Sequence, residues 1–172
     1  MTMLGFLFRG LTAEPSRGAA LFEAINARMR QPHWYVEGKV ADTIDGRFAV
    51  LATLTALTLV RIERDGDAGS SLSVALTEQF IAVMEIEHRE LGLGDPKLGR
   101  TVRKLVGSLS RRVELWRKAV ASGREWPAAV RESLYKEGAS ADALVHSGES
   151  LRNYWNRLGR SELPQLVEGK IA

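Results

Sequence analysis

The chain has 172 residues, 45% hydrophobic and 26% charged, with no cysteine and a formal net charge of +3. That length suits one domain whose core needs no covalent staple, and the missing cysteines exclude disulfides, thiolate nucleophiles and cysteine-bound metal. So small a net charge gives no case for DNA as a partner and leaves only local clusters of Lys and Arg to act as electrostatic surfaces.

At the N-terminus, Met3 to Phe8 form a short apolar run with no basic residue before it and no small-residue cleavage site after it, unlike a signal peptide. Residues 1–15 are expected to fray or to pack on the domain, and residues 16–172 to form a helical body. The first helix is predicted from Ser16, as a cap, to Met29. Ala20, Leu21, Ala24, Ile25 and the stem of Arg28 fall on its inner face, and Pro32 lies beyond its end. The following QPHWYVEGKVADTIDG is rich in breakers and aromatics, which predicts a packed connection with room for a short helical turn. A central helix is predicted from Asp45 or Gly46 to about Arg64. Its stretch FAVLATLTALTLV, Phe48 to Val60, is apolar nearly all round, as in a helix surrounded by other helices. A membrane-spanning helix needs about 20 such residues, and this run is shorter.

The turn formers DGDAGSS stop that helix, and Ser70 or Ser71 is expected to cap the next, in which Leu72, Leu76, Phe80, Val83, Met84 and Leu91 recur at helical spacing up to Gly92. Asp95 followed by Pro96 is a start signal, because aspartate caps orphan amides and proline suits the first turn. The helix from Pro96 to about Ala121 carries an apolar stripe of Leu98, Val102, Leu105, Leu109, Val113, Trp116 and Val120. Arg100, Arg103, Lys104, Arg111 and Lys118 fall on its other side and make a basic face. Arg112 falls at the margin of the stripe, where a guanidinium needs a carboxylate or carbonyl partner. Two further helices are predicted, Glu125 to Glu137 and Ser140 to Arg157, the latter with Leu144, Val145, Leu151, Tyr154, Trp155 and Leu158; ELPQLVEG adds a last turn. With no repeat and no linker, the expected fold is all-α: a single compact domain of about six to seven helices around a central apolar helix.

Catalytic constellations are scarce. Glu85 and His88 have the Glu-x-x-His spacing of di-iron bundles, but such a bundle needs a second copy and two more carboxylates, and His146 to Glu149 runs in reverse order. The three histidines lie in unrelated contexts, no serine sits in a Gly-x-Ser-x-Gly elbow, and GLGDPKLG lacks phosphate-cradle spacing. The sequence therefore assigns no catalytic residue, metal or cofactor, and an enzyme is not expected. The basic face reads either as an ordinary solvated surface or as a docking surface for ribosomal RNA, anionic lipid or an acidic protein. No aromatics are interleaved on it, so stacking of single strands is unsupported.

DTIDGRF, Asp42 to Phe48, runs into an apolar helix and resembles the DT-x-x-GRF opening of the ubiquinol-cytochrome c chaperone family. Arg89 to Asp95 is similar to its RE-x-G-x-GD signature, Val102-Arg103-Lys104 to the basic helix that follows, and Ala27-Arg28, Pro32 and Trp34-Tyr35 to its upstream pattern. The similarity covers about Leu21 to Val120. Ala49 and Leu54 stand where the pattern carries an acidic residue and a histidine, and Leu109-Ser110-Arg111 where it has Phe-Tyr-Gly. The resemblance implies a non-catalytic assembly factor for the cytochrome b-c1 complex, whose mitochondrial relatives associate with newly made cytochrome b and the ribosome that makes it. Expected partners are then cytochrome b or another cytochrome b-c1 subunit, with the ribosome or an anionic membrane surface as a docking platform. The lack of a presequence and the compact length suggest a bacterial form, cytoplasmic and peripheral at the inner membrane. Arg47, Phe48, Arg89, Glu90 and Arg112 become candidates for client or partner contact, with buried ion pairs and, for Phe48, core packing as structural alternatives. Gly46, Gly92 and Gly94 read as backbone turn devices and Asp42 and Asp95 as helix caps. The alternative reading is a basic ribosome- or RNA-associated module without a dedicated client.

Overall fold

The computed structural model describes residues 18–90, 92 and 95–172. The expected N-terminal segment 1–15, the Ser16 cap, Leu91, Gly94 and the capping side chain of Asp95 lie outside the described residues. Among the described residues there are eight helices and no strand: α1 Ala19–Met29, α2 His33–Val36, α3 Ile44–Ile62, α4 Asp67–Glu90, α5 Asp95–Ser122, α6 Trp126–Leu134, α7 Ala141–Arg160 and α8 Leu163–Val167. The all-α expectation holds, and the short α2 and α8 raise the number of helices.

The centre is α3, against which α1, α4, α5, α6 and α7 all pack. Every residue from Val50 to Val60 is buried, as an all-round apolar sequence requires. Two of its three buried threonines enter the core by returning their hydroxyls to the helix, while Thr55 Oγ1 is buried without a partner among the described residues. Thr53 donates to the Ala49 carbonyl at 2.7 Å and Thr58 to the Leu54 carbonyl at 2.8 Å, while the Tyr154 hydroxyl lies 2.6 Å from Thr58 Oγ1. Around this axis, α1 turns Phe22 inward rather than Ala20, which is exposed, and Phe22 meets Phe80 of α4 edge to face with centroids 6.5 Å apart.

Three boundaries differ from expectation for identifiable reasons. After α3 the chain makes one 3-10 turn, Glu63–Asp65, and reverses at Gly66, whose φ of 56° favours glycine. Helix α4 then resumes at Asp67, so Ser70 and Ser71 lie inside it rather than capping it. Helix α6 stops at Leu134, three residues short of Glu137, because Tyr135 becomes extended. Its hydroxyl lies 2.8 Å from Ser147 Oγ and donates to the Gly38 carbonyl at 2.5 Å, tying three segments together. Helix α7 is capped as expected by Ser140, which accepts from the Ala143 amide at 3.3 Å, but runs on to Arg160 and leaves Val145 exposed. The capping box of Glu162 and Gln165 then starts α8.

Candidate functional site

Helix α3 starts with a device built from three neighbours. Thr43 caps it, accepting from the Gly46 amide at 3.2 Å. Asp42, expected as the cap, instead pairs with Arg47 at 2.7 Å on the exposed surface. Gly46 is required by close approach, since a Cβ there would lie 1.8 Å from the Ala41 carbonyl oxygen. This turn sets the direction of Arg47, whose guanidinium sits 5.4 Å from the Tyr35 ring centroid, and of Phe48 one residue later.

Phe48 is half-buried, with its ring 6.1 Å from that of Phe80 and 5.8 Å from the Arg112 guanidinium. It separates two hollows on the same side of α3. One, of about 710 Å³, lies between the start of α3, the middle of α5 and the segment after α6, with Arg112, Lys104 and Tyr135 on its wall. The other, of about 460 Å³, lies between α1, α3 and α4 and is walled by Met29, Ile44, Leu51, Met84 and the polar rim of Arg47 and Glu90. Asp45, Phe48 and Leu105 line both, so the hollows form one groove with an apolar ridge. Ile44 at its edge is 63% exposed, unusually open for a large aliphatic side chain.

Arg112 is the main charge embedded in this groove. It finds the carbonyl partners its position demanded: the Ser133 carbonyl at 2.8 Å and, on its own helix, the Ser108 carbonyl and hydroxyl. Burial and then the positive charge of Arg111 lower its pKa, with Glu132 opposing. Its Nε is buried without a partner.

Four of the five candidate contact residues, Arg47, Phe48, Glu90 and Arg112, thus border one groove, whereas exposed Arg89 does not line it. Gly92, with φ of 81°, makes the turn after α4 and donates to the Arg89 carbonyl at 3.0 Å. On the basic helix, Arg100, Arg103, Lys104, Arg111 and Lys118 are all exposed; Lys104 also opens into the larger hollow.

Sequence reasoning missed one association. His33 and His146, 113 residues apart, face each other with Nδ1 and Nε2 3.1 Å apart, while His33 Nε2 lies 3.2 Å from Gln31 Oε1. Neutral rings satisfy this chain when each donates once. The pairing joins α2 to α7, and no spacing in the sequence signals it. No group of three or more His, Cys, Asp or Glu side chains gathers in metal-holding geometry among the described residues. His88 donates to the Met84 carbonyl of its own helix at 2.8 Å.

The sequence matches the ubiquinol-cytochrome C chaperone family over residues 36–171. The chain belongs to that family. The crystal structure of the Cbp3 homolog from Brucella abortus has the same fold, with a TM-score of 0.79 over 99% of this chain and 96% of that one at 22% sequence identity. Comparison with curated proteins gave no match. Membership in the ubiquinol-cytochrome C chaperone family ties the chain to assembly of the ubiquinol-cytochrome c reductase complex. No helix among the described residues is long and apolar enough to cross a membrane.

Proposed function

We propose that this ubiquinol-cytochrome C chaperone is a non-catalytic assembly factor that shelters an apolar segment of newly made cytochrome b, or of another cytochrome b-c1 subunit, in the groove beside Phe48. The observation that carries the reading is the groove itself. Its two hollows share an apolar ridge of Phe48 and Leu105, and Ile44, Leu51 and Met84 add apolar wall, while Arg47 and Glu90 form a charged rim. An amphipathic client segment can bury side chains on such a ridge and keep its polar face against the rim. Arg47, Phe48, Glu90 and Arg112 contact the client in this reading; Arg89, outside the groove, meets the partner at its edge. Affinity capture from respiring cells should recover cytochrome b or an assembly intermediate containing it. Capture of only unrelated proteins, or normal cytochrome b-c1 levels after deletion of the gene, defeats the reading.

A second reading rests on the basic face of α5. Its five exposed cations fit a ribosomal or anionic membrane surface, either as a platform for the client or as a binding module in its own right. The two readings separate by salt, because phosphate contacts make affinity fall steeply with ionic strength, whereas apolar client capture does not. The platform role places the protein at the cytoplasmic side of the inner membrane.

A further inference from the structure

A separate pocket of about 180 Å³ opens between α1, α2 and α7. Its floor is Trp34, Leu54 and Tyr154, all buried, and its walls present Arg28, His33, Ser150, Asn153 and Arg157. We propose that this pocket binds a phosphate group.

The lining contains two guanidiniums and an imidazole, and no carboxylate. Among the described residues neither Arg28 nor Arg157 pairs with an Asp or Glu side chain. Both are nevertheless held in place: Arg28 donates through Nη2 to the Ile171 carbonyl at 3.2 Å, and Arg157 through Nε to the Ala172 carbonyl. The Arg28 guanidinium lies 5.6 Å from the Tyr154 ring centroid, and the Trp34 indole donates to the Arg28 carbonyl at 2.9 Å, which fixes the end of α1 beneath it. This restraint leaves Nη1 of Arg28, both Nη groups of Arg157, the Asn153 amide and the Ser150 hydroxyl without hydrogen-bond partners among the described residues. Burial and the neighbouring charge of Arg157 both lower the pKa of Arg28, so an arriving anion relieves a repulsion already present.

The geometry selects the anion. A planar carboxylate is satisfied by one guanidinium fork, whereas these donors, two guanidiniums with an amide and a hydroxyl, arrive from α1 on one side and α7 on the other and are more than one planar anion uses, as the several oxygens of a tetrahedral phosphate require. The volume is below that of pockets for drug-sized ligands, which suits a single phosphate group. A free phosphate and a phosphate-bearing lipid headgroup share this chemistry. The pocket shares no residue with the Phe48 groove, so the outcome here is independent of the client reading.

Isothermal titration of the full chain with sodium phosphate, against sodium chloride at matched ionic strength, tests the site. Vesicles of phosphatidylcholine with and without phosphatidic acid form the second arm. Saturable phosphate binding weakened roughly tenfold by Arg157→Gln is expected. Asn153→Asp, which leaves both arginine-to-carbonyl bonds intact and places a carboxylate at the mouth, should abolish it with the circular dichroism spectrum unchanged. Saturable binding of inorganic phosphate identifies a free solute; variant-sensitive binding only to phosphatidic acid vesicles identifies a headgroup. If neither probe binds beyond its control, or if both variants bind like the parent, the proposal is overturned.

Discussion

At Gly46 helix propensity and packing pull in opposite directions, and their magnitudes decide the outcome. Alanine is favoured over glycine inside a helix by about 1 kcal/mol, yet a Cβ here meets the Ala41 carbonyl oxygen at 1.8 Å, and backbone cannot swing aside as a flexible side-chain tip can. Gly46→Ala should therefore destabilise by about 3 kcal/mol or more in chemical denaturation. Gly107, in the middle of α5, is the counterexample: a Cβ there meets only the Arg111 Nη1 at 3.9 Å. Gly107→Ala should stabilise the protein by about 0.5–1 kcal/mol. The His33 and His146 pair makes a third residue-scale prediction. Burial, then the neighbouring His146, lower the pKa of His33, with Glu37 opposing. Between that lowered value and its ordinary value of about 6.5, the unfolded chain binds more protons than the folded one. Stability is thus complete above about pH 6.5 and falls as the pH drops through the folded pKa. Thermal melts between pH 7.5 and 5.5 should show this decline, and His33→Gln should flatten it.

Among the elements, the start of α3 shows how one motif divides its labour. Thr43 carries the cap, so Thr43→Ala should cost about 1 kcal/mol, whereas Asp42→Ala removes only an exposed ion pair and should change stability by less than about 0.5 kcal/mol. Equal losses from urea titrations of the two variants would contradict this division. From the sequence the cap is expected at Asp42, one residue early; aspartate and threonine both suit the position, and only the backbone geometry distinguishes them. Helices whose identity depends on periodicity were legible: the stripe of α5 places Leu98, Val102, Leu109 and Trp116 in the core as expected. Helix ends set by distant partners were not. Nothing local stops α6 at Leu134; the Gly38 carbonyl, 97 residues away, competes for Tyr135 by accepting from its hydroxyl. Likewise DAGSS reads as a loop by composition, yet Gly69 lets α4 pack within reach of the Ile62 carbonyl and the helix forms through it.

For the molecule as a whole, the central position of α3 followed directly from its uncharged run, but the groove beside it did not. Motif similarity gathered Arg47, Phe48, Glu90 and Arg112 without revealing that they share two adjoining hollows. That arrangement depends on how far apart α1, α4 and α5 stand when packed around α3. The basic face was legible, because helical periodicity alone puts its cations on one side of α5. Groove and face are therefore physically separable, with Lys104 at their junction, and this permits a test of which surface binds what. Arg103, Lys104 and Arg111 are exposed, so reversing all three to glutamate should leave the fold intact. In binding to ribosomes or anionic vesicles, each phosphate contact removed lowers the slope of log affinity against log salt by about 1, so the triple reversal should reduce it by about 3. Phe48→Ala should leave that slope unchanged while reducing capture of cytochrome b, because it removes apolar wall and no charge. If the charge reversals abolish client capture and Phe48→Ala has no effect on it, the client lies on the basic face and not in the groove.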